Sequence, residues 1–304
     1  MNKDCTISIN LPTRNRLDTI KLTVEKIKNQ TFQDWELIIS DNASDDVHKL
    51  EYLDQLAAGD PRIKVFKHPE NLGILANWMF AIEQCNGRYY VAVADDDYWQ
   101  EDKFLEALLA MHDGGTGVVF PNLSKNLPES GQFLDKVVTH LYPKEPSKYE
   151  LCETLINDRK CVVMLGLFDL NVIPKSELLS VYDHGRCGHC ENVGMLRLAR
   201  KYKAKFCPDV SYVHTDYSKN YSRGCDREFA VRDTAIAIFQ ILDEFRLASK
   251  GDPGFNKAFL DQWKFAIHYC KSIASTFAME NGSVVIKEQK NGVWKRFRKA
   301  VGLK

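Results

Sequence analysis

Along the first third of the chain, short apolar runs of strand character alternate with longer stretches in which apolar residues recur every three or four positions. Residues 6–11, with Ile7, Ile9 and Leu11, predict a buried strand that Pro12 stops. A helix follows, with Leu17, Ile20, Val24 and Ile27 on one face. Residues 35–40 predict a second strand. The polar run at 41–46 then makes a turn and caps a helix carrying Leu50, Leu53 and Leu56, with Ser44 and Asp45 as the expected caps. Gly59 and Pro61 break that helix before a third strand at 62–67. Asn71, Leu72 and Gly73 open another helix, with Leu75, Trp78, Met79 and Ile82 inside, and Asn86 and Gly87 end it. The run from Arg88 is a fourth strand, rich in aromatic and β-branched residues, and it stops at three adjacent carboxylates, Asp95, Asp96 and Asp97. Helical spacing resumes after Glu101 with Phe104, Leu105, Leu108 and Leu109.

Strands alternating with helices through short turns predict an α/β fold: a Rossmann-like, mostly parallel sheet with helices on both faces. Its carboxyl edge gathers Thr13, Asn15, Asp41, Asn42 and the aspartates. Further on, the pattern predicts a fifth strand at 117–120, an irregular excursion over the site at 121–146, and a strand at 165–172. A short helix starts at Pro174, another covers 193–202, an extended segment runs over 205–214 around Pro208, and two long helices occupy 227–250 and 255–279. No internal repeat or low-complexity linker is present.

Composition narrows the class without choosing a function. The 304 residues are 44% hydrophobic and 27% charged, as in an ordinary globular protein. The 41 basic and 41 acidic residues cancel, so no global field draws the chain to nucleic acid. Nine cysteines, an odd number, with no secretory leader ahead of them, point to a reducing, cytoplasmic compartment. No apolar stretch is long enough to span a bilayer. The charge is uneven in one place: Lys287, Lys290, Lys295, Arg296, Arg298, Lys299 and Lys304 stand against the single acid Glu288.

Three adjacent carboxylates at the carboxyl end of a strand repel one another unless a counter-charge is present. Hard oxygen ligands of this kind suit Mg²⁺ or Mn²⁺, and the strand carboxyl ends of open α/β sheets are where ligands bind. Capping of the next helix accounts readily for one aspartate and less well for three.

With Pro12, Thr13, Arg14 and Asn15, then Asp41 and Asn42, then Asn71, Gly73 and Asn77, then Asp95 to Asp97 in this order and spacing, the chain resembles a family 2 glycosyltransferase of the GT-A fold. The resemblance is close over residues 5–120 and returns at 190–198. It implies a nucleotide-sugar-binding half at 1–120, an acceptor-binding half at 121–225 and a C-terminal helical extension at 226–304. It also implies an inverting, metal-dependent transfer from a UDP- or dTDP-linked sugar to a hydroxyl of a saccharide or lipid-linked acceptor, in cell-envelope polysaccharide synthesis.

By the same resemblance, Pro12, Thr13, Arg14 and Asn15 lie by the nucleotide base and ribose. Asp41 and Asn42 match a pair of acids, with Asn42 departing from the pattern. Asn71, Gly73 and Asn77 lie near the nucleotide and diphosphate. Asp96 is the implied metal ligand with Asp95 beside it and Asp97 nearer the sugar, and His214, followed by Asp216, is a further implied metal contact. Glu191 is the implied general base on the acceptor hydroxyl, a role a positioned carboxylate suits because sugar hydroxyls are poor nucleophiles at neutral pH. Helix capping and helix-dipole roles remain the plainer alternatives for Thr13, Asn71 and Glu191.

Other signals compete. His184, Cys187 and Cys190, with Cys207, His214 and Cys225 beyond, carry soft ligands, but a second well-spaced cysteine pair that a structural zinc site needs is missing. Gly114 to Gly117 lacks the Lys-Ser/Thr of a phosphate loop, and no Gly-x-Gly-x-x-Gly follows the first strand. Residues 293–301 place Val293, Trp294 and Phe297 on one helical side and Lys295, Arg296, Arg298 and Lys299 on the other, a pattern suited to an anionic membrane surface. The alternatives to transfer are a catalytically silent nucleotide-sugar or carbohydrate-binding module and a sugar-phosphate nucleotidyltransferase.

Overall fold

A computed structural model describes residues 5–158, 162–182 and 190–217 of the chain. The first elements follow the hydrophobic pattern closely: β1 (Ile7–Thr13), α1 (Leu17–Lys28), β2 (Trp35–Asp41), α2 (Val47–Gly59), β3 (Ile63–Lys67), α3 (Ile74–Gln84) and β4 (Tyr89–Ala92). β1 pairs in parallel with β2 and with β4, and β2 with β3. Every residue of β1 and β2 is buried, as expected of strands covered on both faces. Ile20, Val24 and Ile27 of α1 join Ile7, Ile9, Leu11, Leu37 and Ile39 in the core. Several polar side chains among them pair internally. Ser8 Oγ donates to Glu36 Oε1 (2.5 Å), and Asn10 Nδ2 donates to the Tyr90 hydroxyl (3.0 Å).

The rest of the chain extends the same sheet. After the two-residue strand β5 (Tyr98–Trp99) and helix α4 (Phe104–Ala110) come β6 (Thr116–Leu127), β7 (Gln132–Leu134), α5 (Lys148–Asp158), β8 (Leu167–Asp169), α6 (Lys175–Leu179), α7 (Cys190–Lys201) and β9 (Lys203–Thr215). The strand order is β3-β2-β1-β4-β8-β6-β9-β5, with β7 on β6. β8 runs antiparallel to both β4 and β6, so the parallel and mixed parts form one sheet.

Several expectations need correction. The fifth strand is far longer than 117–120, because β9 accompanies β6 as far as Asn126. Its ladder shifts register between Pro121 and Asn122, where β9 carries three extra residues, 208–210, beginning at Pro208, and that break hides the continuation in the sequence. The excursion over 121–146 is therefore strand as far as Leu127, then a hairpin through β7. Helix α5 was not anticipated, yet Ser147 and Glu150 form a reciprocal capping box at its start: the Ser147 N–H donates to Glu150 Oε2 (2.9 Å) and Ser147 Oγ accepts from the Glu150 N–H (3.2 Å). The strand expected over 165–172 contracts to β8, preceded by a 3₁₀ turn at Val162–Leu165. The cap of α2 is Asp46 rather than Ser44 or Asp45, its Oδ1 accepting from the N–H groups of His48 (3.0 Å) and Lys49 (3.2 Å). The two long helices expected at 227–250 and 255–279 lie outside the described residues, as does the amphipathic segment 293–301.

Candidate active site

β4 ends opposite the middle of β1, with Ala92 paired to Asn10, while β1 and β2 run on together to Thr13 and Asp41. The chain leaving β4 therefore turns across the carboxyl end of β1. This sets Asp95 against the β1–α1 loop. Thr13 Oγ1 donates to Asp95 Oδ2 (2.6 Å), and the Arg14 backbone N–H donates to the same oxygen (3.3 Å). Arg16, just before α1, reaches back with Nη1 to Asp95 Oδ1 (3.3 Å) and to Asp96 Oδ2. Burial pushes the Asp96 carboxyl up, the Asp97 charge adds to this, and Arg16 opposes both, leaving it at about 6. Burial likewise raises Asp95 against the pull of Arg16. Burial disfavours the Arg16 cation, but the charges of Asp95 and Asp96 outweigh it and hold the guanidinium firmly protonated.

A cleft of about 450 Å³ opens over these groups, walled by the loops after β1 and β2, the start of α3 and the turn after β4. Of the residues expected at the donor site, Pro12, Thr13, Arg14, Asn42, Asn71, Gly73, Asn77, Asp95 and Asp96 line it. Arg16, Ile74, Trp78 and Ala94 also line it, and the sequence reading had assigned them no role there. The α3 wall is shaped by Gly73, whose φ of 83° is one that side chains rarely adopt. Asn71 Oδ1 accepts from the Gly73 N–H (3.0 Å), and Asn42 Oδ1 accepts from the Leu72 N–H (2.7 Å). Asn77 faces the cleft but is tied to Ser40, accepting from its Oγ (2.6 Å) and donating to its carbonyl (3.0 Å).

Four expected residues lie outside this lining. Asp41 is buried beneath it, its Oδ1 accepting from Lys49 Nζ (2.8 Å) and Ser44 Oγ (2.5 Å). Lys49 is fully buried, and burial lowers its pKa while the Asp41 carboxylate holds it up. Asn15, at φ 51°, joins the β1 and β2 loops by accepting from the Asp45 N–H (3.0 Å). Asp97 faces the other half of the sheet, where Tyr212 donates to its Oδ2 (2.8 Å) and the Thr215 N–H to its Oδ1 (2.8 Å). His214 Nδ1 hydrogen-bonds Asp97 Oδ2 (3.3 Å), and that hydrogen bond raises its pKa. Tyr212 also accepts from the Ala94 N–H (3.1 Å) and, buried beside Asp97, titrates well above a free phenol.

Glu191 falls in the first turn of α7, but its side chain is outside the described residues, as are His184 and Cys187. Among the described residues no group of three or more His, Cys, Asp and Glu side chains is arranged to hold a metal, and Cys5, Cys85, Cys152 and Cys207 are free thiols.

Residues 8–165, just over half the chain, match Glycosyl transferase family 2. The chain belongs to this family. It is 32% identical over 132 residues to the putative teichuronic acid biosynthesis glycosyltransferase TuaG of Bacillus subtilis, covering 43% of this chain and 52% of TuaG. The chain spans about half the length of the curated relatives it matches. The fold is shared with solved glycosyltransferase structures at lower identity. S. aureus TarS 1–349 in complex with UDP superposes with a TM-score of 0.67 at 15% identity, over 93% of this chain and 77% of that one. The mannosyltransferase PcManGT from Pyrobaculum calidifontis, in complex with GDP-Man and Mn²⁺, gives 0.55 at 16% identity, over 99% and 84%. These neighbours place this family 2 member in the GT-A fold class.

Proposed function

We propose that the protein transfers a sugar from a nucleotide-diphosphate donor to a hydroxyl of a saccharide or lipid-linked acceptor in cell-envelope polysaccharide synthesis. The observation that carries this is the cleft at the sheet's carboxyl edge, where nine of the residues expected around a donor come together over a carboxylate pair. TuaG is named for polysaccharide biosynthesis, and the two structural neighbours are complexes with UDP or GDP-Man.

In this reading residues 1–120 form the donor half. The loops after β1 and β2 hold the base and ribose, with Pro12, Thr13, Arg14 and Asn42 at the wall. Asn71, Gly73 and Asn77 bring the start of α3 up to the diphosphate. Asp95 and Asp96 fit a Mg²⁺ or Mn²⁺ site, because such ions take one or two carboxylates and complete their shell with phosphate oxygens and water. Bound there, the cation would neutralise charge on the departing diphosphate. Asp95 is held in place by Thr13 and Arg14, so its position is set before any ligand arrives. Residues 121–225 form the acceptor half. Glu191, at the head of α7, is the base that takes the proton from the acceptor hydroxyl, which then attacks the anomeric carbon from the face opposite the diphosphate, with inversion. Contact of residues 293–301 with an anionic membrane surface on the cytoplasmic side would suit a lipid-linked acceptor. Among the described residues no helix is long and apolar enough to cross a membrane.

Calorimetry with UDP, dTDP and GDP, with and without Mn²⁺, tests the donor site. The expected result is cation-dependent binding of one of them, weakened at least tenfold by Asp96→Ala, roughly 1.4 kcal/mol. Full-strength binding without cation, unaffected by Asp96→Ala, would overturn the assignment of the aspartates. Glu191→Gln should keep donor affinity and lose transfer by about 10²-fold or more. Unchanged transfer in that variant excludes Glu191 as the base. Intact donor binding with no turnover by the native protein would leave a silent binding module instead.

A further inference from the structure

Among the described residues, Arg16 is the cationic side chain in direct contact with both cleft aspartates, and the resemblance to the family gave it no role. It occupies the N-cap position of α1 but makes no side-chain cap there. Its guanidinium instead lies in the cleft, with Nη1 on Asp96 Oδ2 and 3.3 Å from Asp95 Oδ1. The neighbouring Asp97 has its own partners in Tyr212, His214 and Thr215, so Arg16 serves the cleft pair alone. Asp95 Oδ2 is already taken by Thr13 and Arg14. The oxygens that Arg16 holds are therefore Asp95 Oδ1 and Asp96 Oδ2. A divalent cation on this pair would compete for those oxygens and meet the positive charge of the guanidinium beside them.

We propose that Arg16 is an exchangeable counter-ion, resting on the reading of the cleft as a cation-diphosphate site. Without donor it neutralises Asp95 and Asp96 and keeps a bare cation out. When a nucleotide diphosphate arrives with its cation, the guanidinium yields the carboxylates and moves to the phosphate oxygens, which its planar fork suits at least as well. The side chain is one-third exposed and on a flexible stem, so the exchange needs no backbone movement. No covalent bond changes. The consequence is thermodynamic: cation and nucleotide bind with positive coupling, because each removes an obstacle to the other.

The test is titration of Mn²⁺, followed by the paramagnetic resonance signal of the free ion, into the full chain with and without UDP. Native protein, Arg16→Gln and Arg16→Lys are compared, with circular dichroism to confirm folding. The expected result is that Arg16→Gln takes up Mn²⁺ without nucleotide about tenfold more tightly than the native protein, and loses most of the mutual enhancement between Mn²⁺ and UDP. Arg16→Lys, which keeps the charge without the fork, should exclude bare Mn²⁺ but bind UDP more weakly than native. Equal or weaker Mn²⁺ uptake by Arg16→Gln overturns the proposal, as does failure of both proteins to bind Mn²⁺ with or without UDP. The broader reading fails separately, if native protein binds none of UDP, dTDP and GDP under any condition.

Discussion

Asn42 stands where the family resemblance implies an acid, and its surroundings give the substitution a physical sense. The residue is buried, its Oδ1 accepts from the Leu72 N–H (2.7 Å), and its Nδ2 donates to the Gly73 carbonyl (3.3 Å). A carboxylate would make the first contact and repel the second. The amide thus fastens the β2 loop to the start of α3. For Asn42→Ala we expect UDP, dTDP and GDP to lose affinity together, by about tenfold for one or two lost hydrogen bonds. A change in the ratio between bases would show that the side chain reads the base directly. Asn42 was legible as a cleft residue from its place in the motif, but its partners were not, because they come from a loop thirty residues away. The same holds for Arg16. It follows Pro12 to Asn15 in the chain, yet nothing in the spacing says that it turns back onto Asp95 and Asp96.

Elements at the opposite end of the sheet carry a polar lock that stabilises without facing the cleft. Glu36 of β2 accepts from Ser8 Oγ of β1 (2.5 Å), Lys64 Nζ of β3 (2.6 Å) and the Asn86 N–H in the turn before β4 (2.7 Å), so one carboxylate ties four segments. That turn packs closely enough that a Cβ on Gly87 would meet the Ser8 backbone nitrogen at 2.7 Å. Burial pushes the Glu36 carboxyl up, but the hydrogen bonds from Lys64, Ser8 and Asn86 more than offset it and leave the pKa below the ordinary 4.5. A carboxylate whose folded pKa is depressed contributes stability that is full above its unfolded value and lost as pH falls through the folded one. Glu36→Gln should therefore destabilise by about 1–3 kcal/mol at pH 7 in urea unfolding, with the deficit shrinking as the pH is taken below about 4.5. Period and turn chemistry made β1 to β4 and the helices between them readable, since β1, β2 and β4 are buried along their whole length and the helices between them turn apolar residues to the core. They failed between Pro121 and Leu165, where the ladder of β6 is irregular and its partner β9 lies many residues further along the chain, and succeeded again for α6, α7 and β9.

Across the whole molecule, the sequence was informative about which residues meet at the sheet's edge and less so about how each is used. Asp95 and Asp96 line the cleft, whereas Asp97, adjacent to both, faces β9. A run of identical side chains carries no sign of such a division of labour, which emerges only once the distant strand is in place. Tyr212 of β9 supports the cleft from outside its lining: its hydroxyl accepts from the Ala94 N–H and donates to Asp97, bracketing the turn that bears the two cleft carboxylates. The stretch that matches the family stops at residue 165, well before this tyrosine. A fragment trimmed to that stretch would retain the loops that wall the cleft while losing the phenol that pins the acidic turn. The acidic edge of the cleft thus depends on a strand that lies beyond the stretch matching the family.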